Sequence, residues 1–219
     1  MGIAAVGARV TAPVDLRGAL GIFGGTFDPI HVAHLAVAEG ARDTLGLDRV
    51  LFVPAGEPPH KLGQTITPAE HRLAMVEAAI ADNPEFEVSR VELDRSGPSY
   101  TADTLAAIDA PAMALIISAE AFRALPEWHE PERIVELATI VVAPRDGYPD
   151  AEPAYLEQAF PRSPVRVVVL DGPRMRLSAS EIRSRAAAGR SVRYLVPDAV
   201  AAYIGDHSLY QDLRRTHRT

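Results

Sequence analysis

The stretch GIFGGTFDPIHVAH, residues 21–34, joins an apolar strand pattern to a helical pattern through a glycine turn. Gly24 and Gly25 follow the apolar run, and without a Cβ they let a ligand approach the backbone. The stretch matches neither G-x-x-x-x-G-K-[ST] nor G-x-G-x-x-G. His31 and His34 stand instead at the start of the predicted helix, where free N–H groups favour an anion.

Apolar strand patterns alternate with helical patterns along the rest of the chain. Near-continuous Val, Ile and Leu runs separated by helices predict a doubly wound, Rossmann-like α/β fold: a mostly parallel sheet with helices on both faces. We expect one such domain over residues 19–207, after a poorly ordered extension of residues 1–18 and before a polar tail of residues 208–219. Helices are predicted for residues 32–45, 68–80 with Thr67 as N-cap, 101–108, 131–138 and 178–189, the last ended by Gly189 as its C′ residue.

The composition limits the classes of function. The chain has 219 residues, and its formal net charge of -7 argues against a general nucleic-acid binder, which needs a basic face. It has no cysteine, which excludes disulfides, a thiolate nucleophile and a Cys-based zinc site and fits a cytoplasmic location. No apolar run approaches the roughly 20 residues that cross a bilayer, so no membrane partner is expected.

Three loops are predicted to share one rim of the sheet, because each follows a parallel strand: residues 24–34, 54–61 and 118–128. The second loop contains PPHK, in which His60 and Lys61 offer an imidazole and an ammonium group. For the histidines of the first loop, local hydrogen bonding is an alternative to phosphate binding, whereas a zinc site would need further ligands.

The stretch LSASEIR, residues 177–183, opens the last long helix with Ser178 as its predicted cap. A Ser-rich helix start with Arg183 one turn later is a second candidate anion site, since a guanidinium grips phosphate oxygens in a bidentate way. A plain helix cap and a solvated arginine explain the same residues.

The two end motifs resemble the signatures of a known family. GGTFDPIHVAH resembles the G-x-F-D-P-x-H-x-G-H signature of the nucleotidyltransferases with an HIGH-like motif, and LSASEIR resembles their I-S-[ST]-T-x-[IV]-R signature. With PPHK, SGPSYTADTL and LPEWHEPERI, the chain is similar more narrowly to the bacterial nicotinate-nucleotide adenylyltransferases. The resemblance spans about residues 20–207.

The resemblance implies a reaction: transfer of the AMP part of ATP onto nicotinate mononucleotide, which gives nicotinate adenine dinucleotide and pyrophosphate in NAD biosynthesis. It implies Mg²⁺ bridging the ATP phosphates, with few protein ligands, and it leaves homo-oligomerisation open. Nicotinamide mononucleotide or phosphopantetheine as acceptor is an alternative, and so is a non-catalytic nucleotide-binding paralogue.

The resemblance also implies roles for single residues. Catalysis would rest on positioning and charge neutralisation by His31, His34, Lys61 and Arg183, with no enzyme nucleophile. The implied ATP contacts add Gly24, Gly25, Thr26, Phe27, Ser178 and Ser180. The implied contacts to the nicotinate nucleotide are Gly25, Thr26, His60, Lys61, Tyr100, Thr101, Trp128 and Arg145.

The chain departs from the family pattern at a few positions. Ala33 stands where glycine is usual, and Ser180 where threonine is usual. In ISAEAF, Ser118 and Glu120 replace the glycine and aspartate of a G-x-D pattern. These two changes motivate the non-catalytic alternative and put the choice of acceptor in question.

Overall fold

The computed structural model describes residues 8–10, 14–58, 65–172 and 174–211. His60 and Lys61, for which the resemblance implies contacts to the substrates, lie outside these ranges. The described residues form one seven-stranded sheet in the order β1-β7-β6-β5-β2-β3-β4. The strands are β1 Ala8–Val10, β2 Leu20–Gly25, β3 Arg49–Pro54, β4 Phe86–Val88, β5 Met113–Ser118, β6 Thr139–Ala143 and β7 Val167–Leu170.

Strands β2 to β7 are parallel, and only β1 pairs antiparallel, with β7 at the edge of the sheet. The mostly parallel, doubly wound sheet predicted from the alternating pattern is therefore confirmed. Strand β2 lies between β3 and β5, so the strand order reverses beside it. Ligands of such folds bind beyond the carboxyl ends of the strands at this point, which is where the glycine turn leaves β2.

Eight α-helices connect or flank the strands in the described part of the chain. They are α1 Val32–Leu45, α2 Ala69–Ile80, α3 Thr101–Ala107, α4 Ala119–Ala124, α5 Pro131–Leu137, α6 Ala154–Ala159, α7 Ala179–Ala187 and α8 Asp198–Asp206, with a 3-10 turn at Leu125–Glu127. None of these helices has the length and hydropathy that a bilayer crossing requires.

Two apolar clusters cover the two faces of the sheet. Alternate residues of each strand supply them, as the period of two in a strand requires: Phe23 and Phe52 belong to one cluster, Ile22 and Val53 to the other. The first cluster includes residues of α1, α2, α7 and α8, and the second includes residues of α3, α4, α5 and α6. Helices thus lie on both faces, as predicted.

Three local expectations differ from the structure. Pro68, not Thr67, is the N-cap of α2, because the Thr67 N–H bonds to the Asp28 carboxylate and the Thr67 carbonyl to the Arg72 side chain. Residues Ala8–Val10 of the expected extension form strand β1, which gains hydrogen-bond partners along the free edge of β7. Leu209 and Tyr210, in the expected polar tail, pack against the first apolar cluster. The predicted end of α7 is confirmed, with Gly189 at φ 69° after the last turn.

Candidate functional site

The two histidines of the glycine turn lie face to face at the start of α1. Their ring centres are 3.6 Å apart and their planes differ by 12°. The His31 backbone N–H donates to Nδ1 of His34 at 3.2 Å. An accepting Nδ1 carries no proton, so in neutral His34 the proton is on Nε2, which becomes a donor.

Both histidines are neutral at neutral pH. Burial lowers the pKa of His31 to about 4, and the pKa of His34 well below its ordinary value. The positive charge of Arg145 is a further cause in both cases. The pair therefore offers N–H donors rather than fixed positive charges to an anion.

His31 also carries an unpaired polar atom. The residue is 5% exposed, and among the described residues its Nδ1 is the one buried side-chain nitrogen or oxygen without a hydrogen bond. Buried polar atoms are nearly always paired. His31 is therefore the residue of the turn whose polar side-chain atoms the described residues satisfy least.

The two glycines of the turn serve different purposes. A Cβ on Gly24 would meet nothing within 4 Å, which leaves the backbone open to a ligand. A Cβ on Gly25 would lie 3.0 Å from the Phe27 ring, so this glycine makes room for an aromatic side chain. Phe27 is 3% exposed and packs edge-on against His34 at 5.2 Å. Its side chain supports the histidine, so any contact to ATP would come from its backbone.

Asp28 ties the glycine turn to three distant segments. It is 3% exposed, and its carboxylate accepts hydrogen bonds from the Tyr210 hydroxyl at 2.9 Å and from the Thr67 N–H at 3.2 Å. Its carbonyl accepts a bond from Nη1 of Arg183 at 2.7 Å. Asp28 is thus a structural centre of the site, with both carboxylate oxygens engaged.

Arg72 is a buried cation that the sequence reasoning missed. It is 1% exposed, and its guanidinium donates to three backbone carbonyls: Thr26 at 2.8 Å, Thr67 at 2.9 Å and Gly56 at 3.3 Å. Burial lowers the pKa of this group, and the nearby Asp28 charge opposes that shift. The available signal was an arginine on the apolar face of a helix, since Leu73, Met75 and Val76 of α2 are buried beside it.

The start of α7 meets the glycine turn, as the paired motifs predicted. The Ser178 hydroxyl accepts from the Glu181 N–H at 3.2 Å, which confirms the predicted cap, and lies 3.1 Å from the Ser180 hydroxyl. Arg183, one turn later, reaches Asp28 through one N–H. Since a guanidinium has five N–H groups, Arg183 can donate to further acceptors as well.

Three of the expected acceptor residues, Tyr100, Thr101 and Trp128, lie near the starts of α3 and α5. Tyr100 precedes α3 and stacks on His129 at 4.1 Å between ring centres, next to Trp128 in the chain. Trp128 is partly buried against the second apolar cluster. The Ser99 hydroxyl accepts from the N–H groups of Gly56 and Glu57, at 3.0 Å and 3.2 Å. The loop after β3 is therefore fastened to the segment that carries Tyr100 and Thr101.

The residues that depart from the family pattern have local partners. Ser118 caps α4 by accepting from the Ala121 N–H at 3.2 Å, and its φ of -79° does not call for glycine. Glu120 forms an ion pair with Arg145, at 2.8 Å between Oε2 and Nη1. Neither change interrupts the rim of the sheet.

Comparisons with known proteins show which family the chain resembles. A family model described as cytidylyltransferase-like matches residues 22–185. Two similar proteins carry the name probable nicotinate-nucleotide adenylyltransferase. One, from a Roseiflexus species, is 51% identical over 88% of this chain and 98% of its own. The other, from Thermus thermophilus, is 48% identical over 88% of this chain and 99% of its own.

A solved structure shares the fold at low sequence identity. Plasmodium falciparum nicotinic acid mononucleotide adenylyltransferase complexed with NaAD has a TM-score of 0.70 at 17% identity, and the match covers 89% of this chain and 98% of that one. The same protein complexed with APC has a TM-score of 0.69 over the same shares.

Proposed function

Because the chain belongs to the cytidylyltransferase-like family and, within it, to the nicotinate-nucleotide adenylyltransferases, we propose that it transfers the adenylyl group of ATP to nicotinate mononucleotide. The products are nicotinate adenine dinucleotide and pyrophosphate. A phosphate oxygen of the mononucleotide attacks the α-phosphorus of ATP, and the bond from that phosphorus to the oxygen bridging to the β-phosphate breaks in line.

The stacked histidines at the start of α1 are the observation that carries this proposal. His34 presents Nε2–H as a donor, and His31 holds an unpaired buried nitrogen. Neutral donors held in a buried site are suited to charge that builds during phosphoryl transfer, because they do not reorganise as the reaction proceeds. The pair would hold oxygens of the α-phosphate and the leaving pyrophosphate.

Cationic groups from other segments would complete the phosphate site. Arg183, beside the turn, and the hydroxyls of Ser178 and Ser180 would hold the β- and γ-phosphates. Lys61, in the loop after β3, would act on the same charge. Tyr100, Thr101 and Trp128 would border the pyridine ring of the acceptor, and Arg145 its phosphate.

The donor chemistry of the turn fits Mg²⁺ that is bound mainly through ATP. Among the described residues, no group of three or more histidine or carboxylate side chains could hold a metal ion. The one carboxylate in the turn, Asp28, has both oxygens engaged. Mg²⁺ bound together with ATP would supply positive charge that neutralises part of the charge of the phosphates.

A turnover assay tests the proposal. Purified protein is incubated with ATP, Mg²⁺ and one acceptor at a time, and pyrophosphate release is followed with nicotinate mononucleotide, nicotinamide mononucleotide and phosphopantetheine. We expect the fastest release with nicotinate mononucleotide. A preference for the amide would contradict the substrate assignment, and ATP binding without release for any acceptor would contradict the enzyme assignment.

His34→Ala tests the role of the histidine pair. Loss of one preorganised donor is expected to lower turnover by about 10²- to 10³-fold without unfolding the protein. His207→Ala is the matched control, because His207 is an exposed histidine outside the proposed site. Turnover of His34→Ala close to that of the control would contradict the phosphate contact.

Cytoplasmic location and self-association stay predictions from the sequence.

A further inference from the structure

A cluster of three polar side chains lies at the carboxyl edge of β5 and β6. Ser118 and Ala143, the last residues of these strands, are paired in the sheet, which brings the segments that follow them side by side. Glu120 and Arg145 form their ion pair there, at 2.8 Å. The Glu120 carboxylate raises the pKa of the Tyr148 hydroxyl beside it, and Cζ of Arg145 lies 5.6 Å from the centre of the Tyr148 ring.

The cluster lies at the same edge of the sheet as the histidine turn, because β5 is the direct neighbour of β2, the strand that leads into that turn. The charge of Arg145 acts on both His31 and His34, across the rim of the sheet. The guanidinium therefore lies within electrostatic reach of the place where the substrate phosphates would bind. Glu120, by contrast, is a negative charge held beside that place, and a phosphate group would be repelled by it.

The ion pair is weak enough to exchange partners. The side chains of Arg145 and Glu120 are 44% and 47% exposed. Exposed pairs of this kind contribute little to stability, since water competes with both charges. A phosphate presents more charge and more acceptor oxygens to a guanidinium than a carboxylate does, and the charge-assisted bonds it forms are strong.

We propose that Glu120 is the internal counter-ion of Arg145: it holds the guanidinium at the rim of the free enzyme and gives it up to the phosphate of the incoming mononucleotide. Glu120 is then a positioning residue that acts through Arg145 and sets the affinity for the acceptor. The inference rests on the proposed function, because that function supplies a phosphate-bearing acceptor. A competing internal partner reduces the fraction of Arg145 ready to bind and so weakens the apparent affinity.

Glu120→Gln is the decisive variant, because it removes the charge and keeps the shape and an acceptor for Tyr148. We expect the KM for nicotinate mononucleotide to fall by about two- to fivefold, the range that an exposed ion pair accounts for. The KM for ATP is expected to change less. Improved affinity is a result that damage to the fold does not produce.

Three further proteins complete the experiment. Arg145→Gln is expected to raise the KM for the mononucleotide, and the double variant Glu120→Gln/Arg145→Gln to match Arg145→Gln, because Glu120 acts only through Arg145. Glu87→Gln is the matched control. Glu87 pairs with Arg49 at 3.3 Å, and both side chains are 49% exposed. Arg49 is the first residue of β3, so this pair lies at the amino ends of the parallel strands, away from the proposed site. The KM values of Glu87→Gln are expected to equal those of the wild type.

The outcomes separate this inference from the proposed function. Wild-type turnover with an unchanged or raised KM in Glu120→Gln overturns the counter-ion role alone. Absence of wild-type turnover contradicts the proposed function. In that case calorimetric binding of inorganic phosphate decides the role of Glu120, which requires tighter binding by Glu120→Gln than by the wild type and Glu87→Gln.

Discussion

Replacement of Arg72 by methionine tests whether a buried cation holds the site together. The guanidinium donates to the carbonyls of Thr26, Thr67 and Gly56, at 2.8, 2.9 and 3.3 Å, and Arg72 is 1% exposed. Methionine fills much of the volume but offers no donor, so three carbonyls lose their partner. A lost bond to a charged group costs about 1.5–3 kcal/mol. The three carbonyls belong to partly exposed residues, so water replaces part of the loss.

The expected cost is about 3–5 kcal/mol of the free energy of unfolding, because three carbonyls each lose a bond to a charged group and water makes up part of the difference. For a chain of this size, that lowers the melting temperature by about 10 °C. Chemical denaturation at pH 7 measures the free energy, and calorimetry the melting temperature. Arg72→Lys is expected to recover less than half of the loss, because one ammonium group cannot reproduce the planar fork of the guanidinium.

Arg90→Met is the matched control. Arg90 bonds two carboxylates, Glu70 at 2.9 Å and Asp94 at 3.2 Å, but its side chain is 45% exposed. Its replacement is expected to cost less than about 1 kcal/mol. The two variants thus compare the loss of a buried arginine that bonds carbonyls with the loss of an exposed arginine that bonds two carboxylates. Equal costs below 1 kcal/mol for Arg72→Met and Arg90→Met would refute the reasoning.

Two further predictions concern residues around the histidine turn. Tyr210→Phe removes a donor from the buried Asp28 carboxylate and is expected to cost about 1.5–3 kcal/mol in denaturation, whereas Tyr194→Phe, at a side chain 81% exposed, is expected to cost nothing measurable. Between pH 6.5 and about 4, unfolded His31 binds a proton that the folded residue does not. The free energy of unfolding therefore decreases as the pH is lowered through this window, by about 3 kcal/mol for His31. Denaturation at pH 7 and at pH 4 measures this loss, which must be smaller for His31→Gln than for the wild type.

The sequence predicted the sheet and the meeting of the two end motifs because both depend on local patterns. The runs around β2, β5 and β6 alternate between two buried faces, and the bounds of α1 agree with the prediction to the residue. Ser178 as a helix cap is likewise a local property of its own turn. Such features need no knowledge of distant partners.

The contacts that hold the histidine turn in place were not predictable in the same way, because they depend on distant residues. Position 25 needs a glycine only because the Phe27 ring lies where a Cβ would be. The position of that ring follows from the left-handed backbone conformation of Phe27, with φ 48°. Thr67 suits a helix cap by residue type, yet its N–H is drawn to Asp28 and its carbonyl to Arg72, so the cap moves to Pro68. Tertiary bonds outweigh the local preference here.

The bonds to Asp28 show why the tail belongs to the site. Thr67, Arg183 and Tyr210 reach this one residue from sequence distances of 39, 155 and 182 positions. Each bond alone is modest, but together they fix a turn whose Phe27 has an unfavourable backbone conformation. The histidines at the start of α1 depend on that turn for their placement. A segment at the far end of the chain, polar in composition, therefore helps to set the geometry of the proposed chemistry.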